Sequence, residues 1–202
     1  MPGGLVALSM ARHETNDEDA TDMLQIVVMG VSGCGKSTMA SAIGKALALD
    51  MADGDDFHLP ESIVKMRDGI ALDDADRWPW LDRIGRYLAE GAATSHGRVV
   101  ACSALKRAYR DRIRALVPQV HFVFLDGSVN LIRERLSLRT GHYMHADLLA
   151  SQFSTLEKPT ADETDVTTLD IAHAVEQVVA DAVKALRALE ACRPATFERN
   201  PL

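Results

Sequence analysis

The chain lacks most of what would tie it to a membrane, a disulfide framework or a nucleic acid. No apolar run in its 202 residues approaches the roughly 18 that a bilayer span requires, so no membrane partner is expected. Cysteine is scarce and odd in number: Cys34, Cys102 and Cys192. Such a scattered set is neither a disulfide framework nor a metal-ligand pattern. Thiols of that kind are kept reduced in the cytosol, so a cytoplasmic protein is expected. Positive charge is also in deficit, with 22 Lys and Arg against 29 Asp and Glu and a formal net charge of −7. That argues against the basic footprint of non-specific nucleic-acid binding. It does not exclude a small anionic substrate, because local charge decides that. There is no internal repeat, and no Asn-Lys-x-Asp motif of the kind a guanine-nucleotide switch needs.

What is present is an ordinary globular composition, 47 % hydrophobic and 25 % charged, and enough length for one domain with a sizeable core. The polar, acidic stretch "HETNDEDATD" places residues 1–22 in a disordered tail, with Met10 or Met23 as alternative starts. Residues 192–202 read as an irregular second tail, which leaves 23–191 as the domain. Within it, "LQIVVM", "RVVACSA", "VHFVFLD" and "DVTTLDI" are short apolar runs that read as buried strands. A further short strand is expected near 49–53. Helical spacing predicts helices over 36–49, 79–93, 106–116, 128–139 and 174–191. Pro79 is expected at a first helical position and Ser128 as a cap. "DGIALDDADRWP" reads as a polar loop. Strands alternating with helices predict an α/β fold with a parallel sheet covered on both faces.

The strongest local signal is "MGVSGCGKST". Gly30, Gly35, Lys36 and Ser37 satisfy G-x-x-x-x-G-K-[ST], between a predicted strand and a predicted helix. Glycines let the backbone curl so that its N–H groups face a phosphate, and the following helix adds its positive N-terminal end. Lys36 reaches the β- and γ-phosphates, and Ser37 is a ligand for Mg2+. The rest of the loop, Ser32, Gly33, Cys34 and Thr38, joins the nucleotide site. This motif names a donor, a nucleoside triphosphate, and leaves the acceptor open. ATPases, switches and small-molecule kinases all share it.

The acceptor side begins at "ADGDDFH". Asp53 and Asp55 follow a short strand, near the strand ends where such sheets place their ligands. One carboxylate can hold magnesium-bound water while the other takes a proton from an attacking hydroxyl. Asp-Gly-Asp is also plain turn chemistry, and spacing alone does not separate the two.

Six segments, "MGVSGCGKST", "DGDDFH", "KMRDGIALDDADRWPWL", "VVACSALKRAYRD", "RLSLRTGHY" and "QFSTLEKPTADETDV", occur in this order over residues 24–171. Together they resemble the gluconokinases, a shikimate-kinase-like group of P-loop kinases. "ACSALK-x-x-YRD" and "QF-x-TLE-x-P-x-x-DETDV" together are much narrower than the phosphate loop. The resemblance implies a five-stranded parallel sheet in order 2-3-1-4-5 with a mobile lid over 135–157. It implies ATP with Mg2+ as the donor, and D-gluconate phosphorylated at its 6-hydroxyl, in carbohydrate-acid catabolism. It also makes a homodimer plausible.

By motif position the resemblance assigns Asp55 as general base and Asp53 as partner of the magnesium-bound water. Asp56 leaves open which aspartate is the base. His58, Lys65, Asp76 and Arg77 fall in segments expected to line the sugar-acid site. Ser103 and Lys106 flank the strand end that faces both substrates. Arg77 suits a carboxylate, which Arg grips with two parallel hydrogen bonds; a surface pair with Asp74 or Asp76 is the alternative. In "KRAYRDRIR", Lys106 and Arg110 are the expected contributors and the rest a solvated face. Arg135 and Arg139, four apart, share a helix face. The resemblance puts Arg135 near the adenine and Arg139 on the phosphates. His142 would meet either substrate or serve structure. Cys34, if exposed beside bound phosphate, would be unusually reactive. A kinase of another sugar acid or polyol, and a non-catalytic nucleotide-dependent regulator, are the rival readings.

Overall fold

A computed structural model describes residues 23–138 and 146–192 of the chain. The tail expected over 1–22, the segment 139–145 inside the expected lid, and the tail expected over 192–202 apart from Cys192, which ends the last helix, lie outside the described residues.

Five strands form one parallel sheet: β1 (Gln25–Met29), β2 (Asp50–Asp53), β3 (Arg98–Ala101), β4 (His121–Asp126) and β5 (Val166–Asp170), in the order β2-β3-β1-β4-β5. The expected order is the one observed. Among the described residues seven helices connect and follow the strands: α1 (Lys36–Leu47), α2 (Pro60–Arg67), α3 (Asp74–Ala93), α4 (Arg107–Leu116), α5 (Val129–Ser137), α6 (Ala146–Thr155) and α7 (Val175–Cys192). A short 3₁₀ turn, Gly54–Phe57, follows β2.

The unbroken apolar run of β1 has a physical cause. Every residue of the strand is buried, because both sheet faces are covered and period-2 alternation then has no polar side. Leu24, Ile26 and Val28 enter one core with Ile43 of α1 and Ala182 of α7. Val27 and Met29 enter the other with Leu81 and Ile84 of α3 and Ile113 of α4. The central strand β1 pairs with β3 on one side and β4 on the other. The chain therefore departs from the sheet centre to both sides, and the crevice outside β1's carboxyl end is where an open α/β sheet binds ligands.

Two boundaries differ from expectation. The helix predicted from Pro79 begins at Asp74, so the supposed loop "DDADRWP" is mostly helical. Asp73 accepts from the Asp76 amide at 2.9 Å while Asp76 accepts from the Asp73 amide at 3.1 Å. This reciprocal capping box starts the helix earlier, and Pro79 sits inside it at the loss of one backbone hydrogen bond. The strand predicted to reach residue 104 stops at Ala101. Ala104, at φ 41°, turns the chain out of the sheet toward α4. Ser128 caps α5 as expected, accepting from the Leu131 amide at 3.2 Å.

Candidate active site

The donor wall is built from backbone. Residues 30–35 leave β1 as a loop and enter α1 through Gly35. Gly33 adopts φ +84°, and a Cβ there would lie 2.8 Å from Leu136, so only glycine allows α5 to pack over the loop. Gly30, at φ +143°, lies against the Cys34 sulfur and the Leu125 carbonyl. Lys36 runs back along the loop and donates to the Val31 carbonyl at 3.0 Å. Beside the loop is a cavity of about 270 Å³, open to solvent, whose walls include Gly35, Thr38, Met39, Leu125, Arg135 and Val178. Arg135 donates to the Ile171 carbonyl at 2.6 Å, which fixes its head at the cavity edge. Arg139 and His142 lie outside the described residues.

Cys34 is 2 % exposed, and burial pushes its thiol up, against the nearby Lys36. The condition for an unusually reactive Cys34, exposure, is therefore not met: a desolvated thiol holds its proton and is a poor nucleophile. Cys102, one strand away, is buried too and pushed up to about 12 by desolvation.

The corner between the walls is a short chain of hydrogen bonds. The Ser37 hydroxyl lies 2.8 Å from one oxygen of Asp53. The other Asp53 oxygen accepts from the Asp55 amide at 3.1 Å and caps the 3₁₀ turn. That turn directs the Asp55 carboxylate outward, with its side chain 89 % exposed. Asp53 and Asp55 are thus placed differently, one tying the loop to β2 and one exposed to solvent. Ser37 and Asp53 are oxygen donors of the type magnesium accepts. Among the described residues no group of three acidic, His or Cys side chains could hold a metal unaided. The pair fits an ion that brings phosphate oxygens and water as its other ligands.

The acceptor wall is built from side chains. His58 closes the 3₁₀ turn, 8 % exposed, stacked on Trp80 at 4.5 Å with an interplanar angle of 10°. Trp80 in turn donates to the Gly54 carbonyl at 2.6 Å. Burial, aided by Arg77, lowers the His58 pKa against the pull of Asp55 3.9 Å away, so the imidazole is neutral near pH 7. Lys65 on α2 is gripped by both oxygens of Asp76 at 2.6 and 2.9 Å. That bond holds the lysine above its usual range and the aspartate below its own. Lys106 meets both oxygens of Asp74 at 2.8 Å. Arg77 donates to the Tyr109 hydroxyl at 3.2 Å. Ser103 sits where β3 gives way to α4, and its carbonyl accepts from the Gly30 amide at 3.3 Å, joining the two walls.

Arg110 is a correction. It was expected as a site contributor and is instead fully buried. Its Nε and Nη2 each lie 2.6 Å from an oxygen of Glu163, a bidentate pair with both side chains 1 % exposed. Nη1 donates to the Glu157 carbonyl at 3.1 Å. Arg114 adds bonds to Glu163 and Asp165 at 2.7 Å each, and Arg107 pairs with Asp162 at 2.6 Å. Arg107 and Arg112 keep to a half-exposed face of the helix, as expected, while Arg110 and Arg114 turn inward. The helix clasps the segment "DETDV" that leads into β5.

Several residues of the site escaped sequence reasoning. Tyr109 stands among the acceptor-side residues, Gln152 on α6 accepts from the Ser32 amide of the phosphate loop at 2.6 Å, and Asp74, expected only as a surface partner of Arg77, lies 3.9 Å from it. His173 lines the cavity beside the loop. The signal for Gln152 was present in the narrow "QF-x-TLE" segment, without a mechanism attached.

Comparison with known proteins agrees with this geometry. The shikimate kinase family pattern matches residues 32–187. The thermosensitive gluconokinase of Escherichia coli K12 is 40 % identical over 163 residues, 81 % of this chain and 87 % of that protein. The gluconokinase of Gluconobacter oxydans is 45 % identical over 154 residues, 76 % of this chain and 85 % of that one. Among solved structures, a gluconokinase from Sinorhizobium meliloti superposes with a TM-score of 0.77 at 44 % identity, covering 84 % of this chain and 95 % of its own.

Proposed function

The chain belongs to the gluconokinase family and to the wider shikimate kinase family, and from that premise we propose that it transfers the γ-phosphate of ATP to the 6-hydroxyl of D-gluconate. The products are 6-phospho-D-gluconate and ADP, which would feed gluconate into the pentose phosphate or Entner–Doudoroff route. The observation that carries the reading is the Ser37–Asp53–Asp55 chain. It sets a solvent-facing carboxylate on the same rigid corner as the phosphate loop.

In this reading the loop amides and Lys36 hold the phosphates, and Lys36 gives up only one neutral hydrogen bond to do so. Magnesium, held by Ser37 directly and by Asp53 through water, would neutralise charge between the β- and γ-phosphate oxygens. Asp55 takes the proton of the attacking hydroxyl. The apolar cavity bounded by Met39, Leu125 and Val178 receives the adenine, with Arg135 at its edge. Arg139 on the phosphates and His142 at the lid complete the proposal. Arg77 and Lys106 meet the acid's carboxylate, while His58, Ser103 and the self-neutralised Lys65–Asp76 pair face its hydroxyls. Closure over both substrates then excludes water from an Asp55 that is otherwise solvated.

A coupled assay of ADP release over a panel of sugar acids and polyols tests the reading. Release with gluconate supports it. Release with a different acid or a polyol alone shifts the reading to another small-molecule kinase. Tight ATP binding without turnover on any acceptor points to a regulatory protein.

A further inference from the structure

Two cations of the acceptor wall share one anchor. Lys106 lies 2.8 Å from both oxygens of Asp74. Tyr109 donates its hydroxyl to Asp74 Oδ1 and accepts from Arg77 Nη1 at 3.2 Å. Arg77 itself stands 3.9 Å from Asp74. The result is a directed chain, Arg77 to Tyr109 to Asp74, with Lys106 closing on the same carboxylate.

The direction of these bonds is fixed. Hydrogen bonds from Lys106 and then Tyr109 hold the Asp74 carboxyl below the usual range, so it is ionised. Burial and then the bond to Asp74 hold the Tyr109 phenol above its own, so it keeps the proton it donates. The anchor is also rigid. Tyr109 is 2 % exposed on α4, with Trp78 packed edge-on at 5.5 Å. Asp74 opens α3 inside its capping box. Lys106 and Arg77 lie 5.4 and 5.8 Å from the centre of the Tyr109 ring, which favours cations over it.

Charge distinguishes this cluster from its neighbour. Lys65 and Asp76 neutralise one another completely. Arg77 and Lys106 share a single carboxylate, which leaves one positive charge, fixed in place and about one-third exposed to the cleft. That is the complement of one carboxylate.

We propose that Asp74 and Tyr109 are positioning residues that aim Arg77 and Lys106 at the carboxylate of a sugar acid, and so set the preference for a monoanionic acid over an uncharged polyol. The proposal rests on the sugar-acid reading above. Long cationic side chains lose much rotamer freedom when fixed. An anchor that meets that cost before binding raises affinity for the anion without touching it.

The test compares gluconate with gluconamide, its uncharged amide, in the full-length enzyme and in Tyr109→Phe and Asp74→Asn. Tyr109→Phe is expected to raise KM for gluconate about tenfold, with kcat falling by less than KM rises and KM for ATP moving less than about twofold. The preference for gluconate over its amide, as a ratio of kcat/KM, should fall at least about fivefold. Asp74→Asn should lower the same ratio, and decides the matter if Tyr109→Phe fails to fold by thermal melting. Equal losses on both compounds, or a KM for ATP that rises in step, would overturn the proposal. If the wild-type enzyme turns over a different acid, that acid and its amide replace the pair. The gluconate reading then fails while the anchor is still judged by its own ratio.

Discussion

The phosphate loop and the proposed acceptor wall are made differently. The donor wall is contiguous, residues 30–38, and acts through backbone shape, with glycines at Gly30 and Gly33 where a side chain would collide. The acceptor wall gathers side chains from the turn after β2, from α2, from the first turn of α3 and from the start of α4. Its two lysines are each held by a carboxylate, Lys65 by Asp76 and Lys106 by Asp74, and Arg77 by the Tyr109 hydroxyl. The difference follows from the ligands. A triphosphate is the same in every kinase, so a generic anion cradle suffices. An acceptor must be told from its relatives, and that takes charges at set positions.

The comparison can be broken at several points. The largest effect is expected at the corner between the walls. Asp55→Asn should lower kcat about a thousandfold and leave ATP binding nearly intact, measured by coupled turnover and nucleotide titration. Near-normal turnover would remove Asp55 as base and turn attention to Asp53 or Asp56. The next largest is in the clasp behind the acceptor wall. Arg110→Met strips buried Glu163 of its bidentate partner and leaves it Arg114 alone, and should cost about 3 kcal/mol in denaturant unfolding. A double change with Glu163→Leu should recover most of that loss, because well-packed apolar pairs replace buried ion pairs readily. The donor wall should respond through shape alone. Gly33→Ala places a side chain 2.8 Å from Leu136 at φ +84°, and KM for ATP should rise about tenfold from a strain of about 1–2 kcal/mol.

A last effect is a dependence on pH in which the clasp takes part. The bidentate bonds from Arg110 hold the Glu163 carboxyl down to about 2 from an ordinary 4.5. A depressed carboxyl stabilises the fold fully above its unfolded pKa and loses that contribution as pH falls through the folded one. Stability should therefore decline between about pH 4.5 and 2, and Glu163→Gln should flatten that part of an acid-unfolding curve.

The contrast between the walls also explains what could be read from the chain. The strands and the phosphate loop were legible because each rests on local, repeating constraints, apolar runs buried on both faces and glycines at fixed offsets, whereas the order of the strands came from resemblance. The acceptor wall was legible only through resemblance, since nothing in the spacing of Lys65, Asp76, Arg77 and Lys106 says which cation meets which carboxylate. Arg110 misled for that reason. Beside Lys106 and amid other arginines it looks like a substrate ligand, and only the fold reveals Glu163, 53 residues later, filling its guanidinium. Pro79 misled in the opposite direction, because the capping box of Asp73 and Asp76 outweighs a proline six residues on. Cys34 could not be judged until Gly30 was seen packed against its sulfur.

The most direct test is to identify the product. Wild-type protein incubated with ATP, Mg2+ and D-gluconate is followed by phosphorus-31 NMR with proton correlation. The account predicts ADP and a single phosphate monoester coupled to the protons on C6, in equal amounts. ADP formed without a phosphorylated acid, or a phosphate on any other carbon, would contradict the proposed placing of the acceptor between Asp55 and the Arg77–Lys106 pair.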